Sequence, residues 1–153
     1  MKKRIIALGL LWCLFAVMLQ AARVDTVLVR SAAMNKDVKV VYVLPDKAIG
    51  KQDCPVVYLL HGYGGNARSW VQLKPELPQM ADEKGIIFVC PDGKNSWYWD
   101  SPENPAYRYE TFVTSELVKY TDGNYATIPD RKARAISGLS MGGHGALWSA
   151  IRH

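Results

Sequence analysis

Ala133-Arg134-Ala135-Ile136-Ser137-Gly138-Leu139-Ser140-Met141-Gly142-Gly143-His144-Gly145-Ala146 is the stretch on which the reading of this chain turns. Ala133 to Ser137 reads as a short strand, Gly138 turns the chain, and Met141 to Ile151 starts a helix. Between them Gly138, Ser140 and Gly142 spell G-x-S-x-G. Taken alone the pattern is also a plain glycine-rich turn. Placed between strand and helix, it predicts a sharp reversal that holds Ser140 in a strained backbone conformation with its hydroxyl beyond the sheet. Small residues are needed on either side because side chains there would strike the neighbouring strand and helix. The helix N-terminus beneath favours a negative charge next to Ser140.

Working outward, Pro55-Val56-Val57-Tyr58-Leu59-Leu60 and Ile86-Ile87-Phe88-Val89-Cys90 are continuous apolar runs, the pattern of strands covered on both faces. Thr26–Val29 and Val38–Leu44 are β-branched and joined by a polar turn, so they predict an antiparallel pair. Pro45 to Asp53 reads as a loop. Ser69 to Glu83 reads as two short helices interrupted by Pro75 and Pro78, and Tyr109 to Tyr120 as an amphipathic helix. Strands followed by helices predict an α/β fold with a mostly parallel sheet and antiparallel N-terminal strands.

His61-Gly62-Tyr63-Gly64-Gly65 follows the first buried strand, where a serine hydrolase of this architecture forms the rest of its oxyanion hole. One amide is expected from near Tyr63 and one from Met141. After the second buried strand, Pro91-Asp92-Gly93 opens a polar, aromatic loop. Here Trp97, Tyr98 and Trp99 are candidate substrate contacts, with Asn95, Ser96 and Asp100 as hydrogen-bonding groups; Trp97 and Trp99 could equally pack the loop onto its own domain.

With these motifs in view, the chain resembles the esterase D ("putative esterase") branch of the α/β-hydrolases over about Val38 to Ile151. His61-Gly62-Tyr63-Gly64-Gly65, Pro91-Asp92-Gly93, Asn95-Ser96-Trp97-Tyr98 and the stretch from Tyr125 through Arg131 into Ser140-Met141-Gly142-Gly143 carry the resemblance. It implies Ser140 as nucleophile, with the amides of Tyr63 and Met141 holding the oxyanion. It also implies further strands that bear an acid and a histidine in the order Ser, Asp or Glu, His. Only thirteen residues follow Ser140. His61, His144 and His153 are poorly placed to act as base, and Asp92 and Asp100 precede the serine. No base or acid is therefore assigned, and the C-terminal part of the fold is expected to be missing. Such a chain alone is expected to be inactive or insoluble, with Ala133–Ser137 as a bare sheet edge.

The 153 residues, 49% hydrophobic and 22% charged, suit one globular domain and exclude disordered and fibrous classes. Met1-Lys2-Lys3-Arg4, the uncharged run Ile5–Leu19 and Gln20-Ala21-Ala22 read as a cleaved signal peptide over residues 1–22, which leaves 23–153 as the esterase portion. A retained anchor is the alternative, although the run falls short of the roughly 20 residues a spanning helix needs. The expected location is secreted or periplasmic, with no stable membrane anchor. Removing Lys2, Lys3 and Arg4 reduces the +5 charge to about +2, too weak for a nucleic-acid partner.

Cys54 and Cys90 would lie on the order of 16 Å apart at opposite ends of parallel strands, so both are expected free and buried. No metal-ligand spacing or nucleotide loop appears, and no cofactor is expected. The leading reading is an exported serine esterase acting on small-molecule or polysaccharide-linked esters. An acyltransferase of the same fold and a non-catalytic carbohydrate-binding fragment are the alternatives.

Overall fold

The computed structural model describes residues 22–153; the expected signal peptide lies almost wholly outside the described residues. Among the described residues five strands form one sheet in the order β1-β2-β4-β3-β5. They are β1 (Arg23–Ser31), β2 (Lys36–Leu44), β3 (Val56–Leu60), β4 (Ile87–Pro91) and β5 (Arg134–Gly138). β1 pairs antiparallel with β2, and β2 antiparallel with β4. β4, β3 and β5 run parallel, so β2 alone opposes the rest.

The two hydrophobic runs that show no alternation are buried on both faces for a simple reason: β3 and β4 are interior strands with helices above and below. Val41, Val43, Leu59, Phe88 and Cys90 face α2 (Ser69–Leu73) and α3 (Leu77–Lys84), where Ala67, just before α2, and Leu77 and Ala81 of α3 meet them. Val40, Tyr42, Val56, Tyr58, Leu60 and Val89 face the other side, against Phe112, Val113, Leu117, Met141 and Ala146. That side is covered by α4 (Tyr109–Thr111), a π-helical turn over Phe112–Glu116, α5 (Leu117–Asn124) and α6 (Met141–Arg152).

Several local features depart from the sequence reading. The Pro45–Asp53 segment contains a single helical turn, α1 (Asp46–Ile49), whose first bonds run from the amides of Ala48 and Ile49 to the Pro45 carbonyl. Four residues are too few to leave a periodic signal. Of the two prolines expected to interrupt Ser69–Glu83, only Pro75 lies in the break. Pro78 sits in the first turn of α3, where its missing N–H has no helical partner to lose. The expected amphipathic helix at Tyr109–Tyr120 runs on to Asn124 and contains the π turn. Glu116, at the end of that turn, takes the Ser31 hydroxyl at 2.6 Å and the Ala33 amide at 2.8 Å, which seats the β1–β2 turn on the helix.

Cys54 and Cys90 are both free and buried. Parallel pairing of β3 and β4 puts one before its strand and the other near the end of its own. Burial pushes the Cys90 thiol up to about 12, so it is chemically quiet at neutral pH. β5 and β1 are the two edge strands of the described sheet. Next to β5, Leu147 and Ile151 of α6 are exposed. No helix among the described residues is long and apolar enough to cross a membrane.

Candidate active site

Ser140 lies between the end of β5 and the start of α6 with φ 53° and ψ −115°, a conformation that a residue with a side chain rarely adopts. Holding it there costs on the order of 1–3 kcal/mol, and the surrounding backbone has to enforce it. The Leu139 amide donates to the Leu60 carbonyl at 3.2 Å, and the Gly142 amide to the Leu139 carbonyl at 2.8 Å. A Cβ on Gly142 would fall on the Leu60 carbonyl, and one on Gly138 would fall on the carbonyl of Gly142. Backbone therefore packs directly on backbone, and Ser140 is left exposed at the top of the turn.

The same close packing brings the second motif alongside. A Cβ on Gly62 would lie 3.3 Å from the Leu139 carbonyl oxygen and 3.7 Å from Ser140 Cβ, so the loop leaving β3 runs beside the serine. Among the described residues, neither the Tyr63 amide nor the Met141 amide donates to a protein acceptor. The Tyr63 side chain is exposed, whereas Met141 is fully buried. A depression of about 440 Å³ lined by Tyr63, Leu73 and Leu139 opens next to the turn.

His61, 1% exposed, is a structural group. The Gly93 amide donates to its Nε2 at 2.9 Å, so the ring proton is on Nδ1 and is donated to the Gly62 carbonyl at 2.7 Å. The expectation for Tyr98 as a substrate contact is corrected: it is 0% exposed, wedged against Gly93 and Gly145, with its hydroxyl on the backbone of His61. Burial raises its pKa well above the usual tyrosine value.

The polar groups of this loop are also engaged internally. Asn95 Oδ1 accepts the Gly64 amide at 2.8 Å, Ser96 Oγ accepts the Tyr98 amide at 3.1 Å, and Asp100 accepts the Thr111 amide at 3.0 Å. Trp97 and Trp99 remain partly exposed. Consecutive positive φ angles at Trp97 (56°) and Tyr98 (58°) bend the chain here, with Tyr98 inside and its two neighbours outside. The Trp97 ring meets His144 of α6 edge-on at 5.5 Å. The sequence offered one clue to the burial of Tyr98, a glycine inside a helix at Gly145, where a side chain would strike the ring.

Residues 31–153 match the family described as "Putative esterase". The chain belongs to that family. It is 28% identical to an acetyl esterase of Caldicellulosiruptor saccharolyticus, over 80% of this chain and 48% of that protein. The solved S-formylglutathione hydrolase of Agrobacterium tumefaciens superposes with a TM-score of 0.76 at 28% identity, over 87% of this chain and 54% of the other. A ferulic acid esterase superposes at 0.75 with 30% identity, over 87% and 56%. The fold is thus that of the α/β-hydrolases, and the chain spans about half the length of these relatives.

Within this putative esterase chain the remaining histidines also have their rings committed. His144 bonds the Trp97 carbonyl at 3.1 Å and stacks on Trp148. His153, just beyond the last turn of α6 and roughly 18 Å of helix from Ser140, contacts Glu110 at 2.8 Å. Among the described residues no cluster of three His, Cys, Asp or Glu side chains could hold a metal ion.

Glu110 ties α4 to the end of α6. Burial opposes its charge, but donors from Trp148 at 2.7 Å, Arg152 at 2.8 Å and His153 outweigh it and hold the carboxyl at about 2. A depressed folded-state pKa gives stability that is complete above the ordinary glutamate value and lost as pH falls through the folded one. Glu110→Gln should therefore be less stable than wild type near pH 6. In urea titrations the gap should close between about pH 4.5 and pH 2; a gap independent of pH would contradict the assignment.

Proposed function

We propose that this chain carries the nucleophile and oxyanion-binding half of an exported serine carboxylic-ester hydrolase. The observation that carries the reading is the strained, exposed Ser140 with the Gly62 loop beside it, where among the described residues the amides of Tyr63 and Met141 donate to no protein acceptor. Ser140 Oγ attacks the ester carbonyl carbon. As that bond forms, the carbonyl π electrons move onto oxygen, and the resulting negative charge is met by the two N–H groups and the positive end of α6. Collapse breaks the bond to the alkoxy group, and the alcohol leaves with the proton that the base took from Ser140. Water then attacks the acyl-enzyme and releases the acid.

In this reading the acid and the base come from the part of the relatives' fold that this chain does not span. His61 is excluded as base because both its nitrogens are engaged, and His144 and His153 because their rings contact Trp97 and Glu110. Export rests on the basic and apolar order of residues 1–22.

For substrate, the acetyl esterase and ferulic acid esterase among the relatives support an ester of a short or an aromatic acid. The exposed face of Trp97, seated on the first turns of the nucleophile helix, supplies a flat surface for an aromatic acyl group or a sugar.

In the full-length protein, Ser140→Ala should lower hydrolysis of p-nitrophenyl acetate by at least about 10⁴-fold; retained turnover would exclude Ser140 as nucleophile. Trp97→Ala should raise KM several-fold for a feruloyl ester and leave an acetyl ester unchanged. Equal effects on both substrates would remove Trp97 from recognition.

A further inference from the structure

β3 ends at Leu60, where its ladder to β5 also stops. The next residue, His61, is buried, so its own N–H and C=O need partners that the sheet no longer supplies. Tyr98 provides both: its hydroxyl accepts from the His61 amide at 2.9 Å and donates to the His61 carbonyl at 3.3 Å. Three residues further on, Asn95 Oδ1 takes the Gly64 amide at 2.8 Å. The Gly62 carbonyl accepts from both His61 Nδ1 and the Gly65 amide, which closes the turn between these two points. Among the described residues the amides of Gly62 and Tyr63 are the two in this loop that donate to no protein acceptor, and the loop is fixed on both sides of them by one segment, Asn95–Tyr98. The Tyr98 ring also abuts Gly145 of α6, so the same side chain touches the helix that carries Ser140 and the loop that carries the Tyr63 amide.

We propose that Tyr98 and Asn95 are positioning residues that clamp the His61–Gly64 loop and thereby set the Tyr63 amide against the carbonyl oxygen attacked by Ser140. The clamp rests on the esterase reading above. Neither side chain touches substrate. Each acts through the loop backbone, and loosening either should weaken stabilisation of the developing oxyanion more than binding of the ground-state ester.

The test uses the full-length protein and the variants Tyr98→Phe, Asn95→Ala and the pair together. Each single variant should lower kcat for p-nitrophenyl acetate by roughly 10- to 100-fold with KM within about twofold. The double variant should lose no more than about 1000-fold, the upper worth of one oxyanion donor. Amide hydrogen exchange should quicken at His61 in Tyr98→Phe and at Gly64 in Asn95→Ala.

Folded variants with unchanged kcat, or with KM raised and kcat intact, would overturn the proposal. Should Tyr98→Phe fail to fold, Asn95→Ala, at an exposed position, decides the matter by the same two readouts. A wild type without turnover would overturn the esterase reading and the clamp's catalytic role with it. The exchange measurement needs no substrate, so unchanged protection in the variants would refute the clamp itself.

Discussion

Three segments of backbone meet without side chains between them where Gly142 packs against the Leu60 carbonyl and Gly138 against Gly142. A Cβ at Gly142 would force α6 away from β3, and one at Gly138 would force it away from the end of β5. This contact fixes the height of α6 over the sheet, and with it the strained conformation of Ser140. It also brings the loop after β3 against the turn, because Gly62 can approach the Leu139 carbonyl only while α6 stays low. The serine, the loop amide and the helix N-terminus are therefore products of one packing constraint.

Around that contact, the loop after β4 acts as a frame. Its polar and aromatic residues look like a recognition surface in the sequence, yet Asn95, Ser96, Tyr98 and Asp100 all bond to protein. Buried polar backbone at the end of a strand must be satisfied, and here a tyrosine hydroxyl meets both groups of His61 at once. Trp97 and Trp99 stay at the surface because two left-handed residues in succession bend the chain around the buried ring. The part available to a ligand is smaller than the composition of the loop suggests, and it lies along α6, with Trp97 against His144 and Trp99 towards Trp148.

The architecture was legible where hydrophobic pattern and turn chemistry agreed. The unbroken apolar runs of β3 and β4 marked interior parallel strands, and G-x-S-x-G between strand and helix placed the strained turn at Ser140. Readings failed where only local geometry decides. One helical turn at Asp46–Ile49 is too short for periodicity, and Pro78 is compatible with a helix because it falls at the start. Tyr98 was misread because nothing in Asn95-Ser96-Trp97-Tyr98 reveals which ring turns inward; that depends on the φ angles of Trp97 and Tyr98 and on the space left by Gly93 and Gly145. Asn95 was misread for a related reason, since its partner is a backbone amide from a distant loop.

The proposed function stands on one arrangement, an ester carbonyl oxygen at Ser140 held by the amides of Tyr63 and Met141. The most direct measurement is a crystal structure of the full-length protein after reaction with a fluorophosphonate. The account predicts phosphorus bonded to Ser140 Oγ, with its non-bridging oxygen about 2.7–3.1 Å from the amide nitrogens of Tyr63 and Met141. An adduct on another residue, or one on Ser140 whose oxygen points to solvent away from both amides, would contradict it.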